Sequence, residues 1–498
     1  MKNILPTVIL CTDGYKLGHR QQYPDGTTQV YTNFTGRFSR TTQDKIVQFG
    51  LQFFLQKWLM DEFKSFFSSD KEAICNEYAR RVNGYLGPNN VGTEHIAQLH
   101  DLQYLPLEFR ALPEGTLVPV GIPVLTVTNT HPDFFWLVNY IETLLSSELW
   151  MPMTSATTTN TFRKILDKWA VATGSDPAFV PFQGHDFSMR GMPGIEAAMA
   201  SGAGHLISFD GTDSIPAIEF VETYYANKPN DNSLIGCSVN ATEHSVMCAG
   251  GSKPGDELAT FERLLFLIYP TGILSVVSDT WDLWTVITSY LPKLKDRILA
   301  RDGKLVIRPD SGDPVKIICG DPDADPSTPQ YKGVIELLWD IFGGTVTSTG
   351  HRMLDSHIGA IYGDSITEAR CDEICRQLAE KGFASGNMVF GIGSFTYQYV
   401  TRDTYSFAAK ATYAVVNGEP RELYKDPITD KKKKSAKGLL AVREVDGELV
   451  LFDQCTREES ENDSLLKLVW KDGNFVGPKV TFSEIRERLA TQRALEAA

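Results

Sequence analysis

No stretch of the 498 residues approaches the ~20 consecutive apolar positions that a membrane-spanning helix needs. The eight cysteines include no CxxC pair. Apart from His244, the histidines show no HxxxH or HxH spacing, so no zinc site is signalled. Positive charge is also short: 48 Lys and Arg stand against 62 Asp and Glu, a net charge of −14. Such a chain has no field that attracts DNA or an anionic membrane, which excludes a generic nucleic-acid binder and leaves room only for local basic pockets. Nor is the composition biased: 42% hydrophobic and 22% charged residues exclude a disordered or fibrous protein. The opening ILPTVILC has the look of a short signal core. It contains Pro6, however, and no small-x-small cleavage site follows, so it reads as a buried strand. Cys371 and Cys375 lie beside Ile374 and Leu378 on a predicted helix and read as buried thiols. Reduced thiols and the lack of a leader point to the cytoplasm.

The length suits two to four domains. Near the start, VIL (8–10) and QVYTNF (29–34) read as strands, and Val47 to Lys64 as an amphipathic helix. Residues 109–130 are strand-rich, and 135–150 has apolar residues at helical spacing. Between about 185 and 395 one rhythm recurs: a short apolar strand, a polar loop, then a helix. It implies a parallel sheet, open or closed into a barrel, with polar residues at the carboxyl ends of the strands. After about 400, residues 412–427 and 439–452 read as antiparallel pairs. TFSEIRERLATQRALEA (481–497) reads as a helix with a serine cap.

Several of these strand ends carry chemistry. RPDSGDP (308–314) sets Arg308 and Asp310 just past a strand with Ser311 in a turn; it is a metal or sugar site, or a tight turn closed by an Arg–Asp ion pair. GDSIT (363–367) offers Gly363 and Asp364 to an anion or a ribose, or simply caps a helix. FGIGS (390–394) lacks a full GxGxxG because position 396 is Thr; its glycines suit a phosphate. His244 in ATEHS reads as an acid, base or nucleophile, or as a satisfied core residue. SDTWD offers Asp279, GTDS offers Asp213 after the expected strand LIS (206–208), and HDFSMRG offers Phe187 and Arg190. DKKKK (430–434) is a solvated loop or a polyphosphate contact. Together the strand ends imply a ligand with phosphates, a ribose and Mg²⁺.

These segments, with TDGYKLGHRQQYP, LYKDP and FSEIR, resemble the nicotinamide phosphoribosyltransferases of the type II phosphoribosyltransferase family, almost end to end. The resemblance implies an α/β protein. Its parts would be an irregular (β/α) barrel over 151–399 and an α+β domain built from 1–150 with 400–498. It implies a homodimer joining nicotinamide to 5-phosphoribosyl 1-pyrophosphate, giving nicotinamide mononucleotide and pyrophosphate in NAD salvage, with Mg²⁺. ATP hydrolysis would be coupled through a phosphorylated His244. The implied base site is Phe187 and Asp213 with Arg308 and Ser275, plus Tyr15 from the partner subunit. The implied phosphoribose and pyrophosphate site is Arg190, Asp310, Ser311, Gly363, Asp364, Gly393, Ser394 and Arg402, with Arg37, Lys410, Lys425 and Lys433 near the dimer interface. Asp279 and Asp310 would lie by the Mg²⁺–pyrophosphate. Met189 stands where the family has an aromatic residue. The alternatives are nicotinate phosphoribosyltransferase, or a silent ligand-binding member of the fold. Asp213 discriminates between the bases, because its carboxylate would repel that of nicotinate.

Overall fold

The computed structural model describes residues 7–226, 235–251, 253, 255–425 and 436–497. Its contacts form two compact units, one from Met1–Thr157, Val221–Asp231 and Thr401–Ala498, the other from Thr158–Phe220 and Asn232–Val400. The division at 157 falls inside a single long helix, Glu142–Thr173.

The second unit holds seven parallel strands. In chain order they are β1 (Gly184–Asp186), β2 (Gly211–Thr212), β3 (Asn240–Ala241), β4 (Thr271–Val277), β5 (Asp302–Arg308), β6 (Ile358–Tyr362) and β7 (Met388–Ile392). Their spatial order is β2-β1-β7-β6-β5-β4-β3. The edges are tied by one bridge, Gly211 to Cys237, just before β3, so the sheet curls on itself. Helices follow most strands because each apolar run ends in a polar loop and a capping residue. Thr367, for example, accepts the Arg370 N–H and starts the helix Glu368–Glu380. Cys371 and Cys375 are buried on that helix. Parallel strands must be covered on both faces, which accounts for runs such as LVI in β5.

The first unit is built on an antiparallel sheet that interleaves the two ends of the chain. Thr27–Gly36 lies between Phe407–Val416 and Pro123–Asn129, which leads on to Leu107–Ala111 and Lys467–Lys471. Phe34, Phe54, Phe109 and Trp470 fill its core.

Four local expectations are corrected. Val8–Leu10 is a buried 3-10 turn, too short a segment for its apolar character to distinguish turn from strand. The helix expected from Val47 starts at Leu51: Lys45–Val47 is a strand, and Gly50 at φ 99° separates the two. LIS (206–208) is not a strand but the end of the helix Ile195–Leu206 and its turn. The C-terminal helix is capped by Thr481, whose hydroxyl accepts the Glu484 N–H while Glu484 accepts the Thr481 N–H. No helix among the described residues is long and apolar enough to cross a membrane.

Candidate active site

Alternation along the strands aims every second side chain at the interior of the curl. Lys304, Val306 and Arg308 on β5, Ser275 on β4, Ala360 on β6 and His185 on β1 therefore line one cavity of about 360 Å³. Phe187, just past β1, and Asp213, just past β2, close its carboxyl end.

Phe187 is a fixed platform. A Cβ on Gly391 would stand 2.3 Å from its ring, and one on Gly363 2.8 Å, so both backbones press against it. The sequence had offered Gly391 to a phosphate; its missing side chain serves the phenyl ring instead. At Gly393 a Cβ would meet nothing within 4 Å, and that backbone is open to a ligand. The Arg308 guanidinium lies 5.0 Å from the Phe187 centroid. The Arg308–Asp310 ion pair considered from sequence does not form; the Asp310 N–H donates to Asp279 Oδ2 at 2.8 Å.

Asp213 is half-exposed, with His185 Nε2 at 2.9 Å and Ser238 Oγ at 2.8 Å from the same oxygen, Oδ1. Burial opposes its ionisation, but the bonds from His185 and Ser238 and the charge of Arg308 hold its carboxyl below the usual range. In the same cavity, Arg308 Nε and Ser275 Oγ are buried without a hydrogen-bond partner among the described residues. Neither His185 nor Ser238 was singled out from sequence. The period of two from Phe187 puts His185 on the same face, but its pairing with Asp213 follows only from the β1–β2 register.

At the strand ends, His244 opens the helix His244–Gly250, with Nε2 3.9 Å from Asp279 Oδ1 and Nδ1 3.3 Å from Thr280 Oγ1. A Cβ at Gly363 would lie 3.7 Å from Asp310 Oδ1. Asp364 is exposed; Thr367 caps the following helix, so Asp364 does not. Ser311 and Arg190 are exposed, and Ser394 packs against Gly191 beside Arg190. Tyr15 (63% exposed), Arg37, Arg402, Lys410 and Lys425 belong to the other unit, all exposed, with Arg402 paired to Asp403 at 3.0 Å. Lys433 lies outside the described residues.

The donor set fits a cation only in part. Asp279 Oδ1 is buried and has no hydrogen-bond partner, as a carboxylate facing a cation would be. Among the described residues no three His, Cys, Asp or Glu side chains gather into a metal site, so Mg²⁺ here requires oxygens from a ligand.

A sequence model of the nicotinate phosphoribosyltransferase (NAPRTase) family matches residues 182–474, and one of the nicotinamide phosphoribosyltransferase N-terminal domain matches residues 7–77. The chain is 52% identical over 494 residues to a nicotinamide phosphoribosyltransferase of Acinetobacter baylyi, covering 96% of each. It is 35% identical over 445 residues to one of Mycoplasma pneumoniae, covering 86% of this chain and 94% of that one. The crystal structure of a nicotinate-nucleotide pyrophosphorylase from Pyrococcus furiosus shares the fold, with a TM-score of 0.60 at 15% identity, covering 100% of this chain and 99% of that one. The chain belongs to the nicotinate phosphoribosyltransferase family, and within it stands with the nicotinamide phosphoribosyltransferases.

Proposed function

We propose that this enzyme transfers the phosphoribosyl group of 5-phosphoribosyl 1-pyrophosphate to nicotinamide, releasing pyrophosphate and forming nicotinamide mononucleotide for NAD salvage. The observation that carries the choice of base is the polarity at the end of the cavity. A carboxamide needs one acceptor for its N–H and donors for its oxygen. Asp213 is the acceptor; Ser275 Oγ and Arg308 Nε are buried donors without partners. A carboxylate in the same pose would set an anion against Asp213.

In the mechanism, Phe187 holds the pyridine ring so that its nitrogen faces the anomeric carbon, and that orientation removes much of the entropic barrier. The ring nitrogen bonds to the anomeric carbon as the bond to pyrophosphate breaks. Asp310 stabilises the oxocarbenium-like charge that develops between the two events. Asp364 and the open backbone at Gly393 serve the ribose and its phosphate, with Gly363, Ser311, Ser394 and Arg190. Mg²⁺ bound by Asp279, Asp310 and the pyrophosphate would neutralise charge on the leaving group. His244, exposed and 3.9 Å from Asp279, accepts phosphate from ATP in this reading, and the added charge beside the pyrophosphate drives the reaction toward product. Arg402 serves the ribose and its phosphate as well, and Tyr15 with the basic residues Arg37, Lys410, Lys425 and Lys433 completes the sites of a homodimer. Scattered cysteines with no CxxC pair suit a reducing compartment, here the cytoplasm.

The test is product formation from phosphoribosyl pyrophosphate and Mg²⁺ with nicotinamide and nicotinate in parallel, each with and without ATP. Nicotinamide mononucleotide formed preferentially and boosted by ATP is the expected result. Preference for nicotinate overturns the choice of base, no response to ATP removes the role of His244, and no product from either base makes the protein a binding member of the fold.

A further inference from the structure

We propose that His185 and Ser238 are positioning residues for base selection: they lock one oxygen of Asp213 and so present the other to the amide N–H of the base. The proposal deepens the function above and rests on Asp213 as the amide acceptor. A carboxylate whose side chain is 48% exposed is not held in one rotation by packing alone, so something else must orient it. Both donors converge on Oδ1: His185 Nε2 at 2.9 Å and Ser238 Oγ at 2.8 Å. Two donors saturate that oxygen, and Oδ2 is left without a hydrogen-bond partner among the described residues. The Asp213 N–H is also fixed, by the Asp186 carbonyl at 3.0 Å.

The imidazole is itself pinned. A Cβ on Gly211 would lie 2.6 Å from His185 Nδ1, so the ring fits only against a glycine. On its other side its centroid is 5.0 Å from that of Phe187, with the planes at 59°. One side chain, only 11% exposed, thus touches both the platform for the ring and the acceptor for the amide, and it sets their relative position. The Nε2–H tautomer is the one that donates to Asp213. The carboxylate so held carries the charge that rejects a carboxylate base.

The experiment measures kcat and KM for each base separately, at saturating phosphoribosyl pyrophosphate, in the wild type, His185→Leu, His185→Gln and Ser238→Ala, with the thermal midpoint of each. Loss of the orienting donor in His185→Leu should raise KM for nicotinamide about tenfold, with kcat changed less than about threefold. The preference for nicotinamide over nicotinate should fall by a similar factor, and KM for phosphoribosyl pyrophosphate should stay put. Glutamine can place an amide N–H where Nε2–H stood, so His185→Gln should recover most of the loss. Ser238→Ala should move the preference the same way, about threefold. An equal change for both bases in His185→Leu, or a glutamine variant as impaired as the leucine one, overturns the proposal. If His185→Leu fails to fold, an unchanged base preference in Ser238→Ala overturns it alone. A wild type without preference for nicotinamide is a failure of the function reading, whereas a wild-type preference that neither His185→Leu nor Ser238→Ala moves is a failure of this inference.

Discussion

At Asp213 the change to asparagine keeps the shape and removes the charge. The asparagine no longer repels an anion, and with its one oxygen held by His185 and Ser238 its NH2 faces the base, so Asp213→Asn should raise kcat/KM for nicotinate about tenfold and lower it for nicotinamide. Competition between the two bases measures this directly, and an unchanged nicotinate rate would remove charge as the basis of selection. Gly391 makes a different kind of claim. Its alanine variant sets a methyl 2.3 Å from the Phe187 ring and 2.8 Å from the Gly363 Cα, so the platform must shift. Gly391→Ala should therefore raise KM for the base at least tenfold and leave KM for phosphoribosyl pyrophosphate nearly unchanged. The sequence displayed this glycine as part of a loop open to phosphate. It could not display the phenyl ring, which comes from a strand some 200 residues earlier and meets Gly391 only because β1 and β7 are neighbours.

Elements were legible where an apolar run and its stop signal were both local. β4, β5, β6 and β7 each reach an Asp, Arg or Gly at the strand's end or within two residues of it and lead into a helix, as SVVSD, LVIRPD, IYGD and VFGIG suggest. Harder cases had their cause elsewhere. The start of the helix at Leu51 depends on Glu114, more than sixty positions away, whose carboxylate accepts the N–H groups of Gly50 and Gln52 and the Tyr225 hydroxyl. Burial pushes the Glu114 carboxyl up from 4.5 to about 6, against those hydrogen bonds and the charge of Arg488. A carboxyl raised on folding binds its proton more tightly in the native state. Below about 4.5 it imposes no penalty, between about 4.5 and 6 the penalty grows, and above 6 it is complete at about 2 kcal/mol. The wild type should therefore lose stability relative to Glu114→Gln as pH rises through that window, whatever the constant offset between them. Urea unfolding at several pH values reads the difference, and a relative gain with rising pH would contradict the burial account.

For the whole molecule, the antiparallel sheet joins the chain's beginning to its end. Strand Thr27–Gly36 is hydrogen-bonded to Phe407–Val416 on one side and to Pro123–Asn129 on the other. Tyr15, Arg37, Lys410 and Lys425 all belong to that unit, while Phe187, Asp213, Arg308 and Asp310 belong to the curled parallel sheet. The position of Asp310 could be read from a single turn, RPDSG, but residues assigned to a partner subunit leave no local mark. Tyr15, exposed at 63%, gives no sign in its own segment of the ring it would cover. The homodimer reading nevertheless makes a quantitative claim. If each site takes Asp310 from one chain and Tyr15 from the other, then Tyr15→Ala and Asp310→Asn, each inactive as a pure protein, complement one another. In a mixed dimer both defects fall in one site, and the second site is wild type throughout. Random reassociation of equal amounts puts half the dimers in the mixed form, each with one working site of two, so activity should return to about a quarter of wild type. Mixing after mild dissociation, followed by the nicotinamide assay, checks it. Were both residues drawn from the same chain, every site in the mixture would carry a defect, and no activity would return.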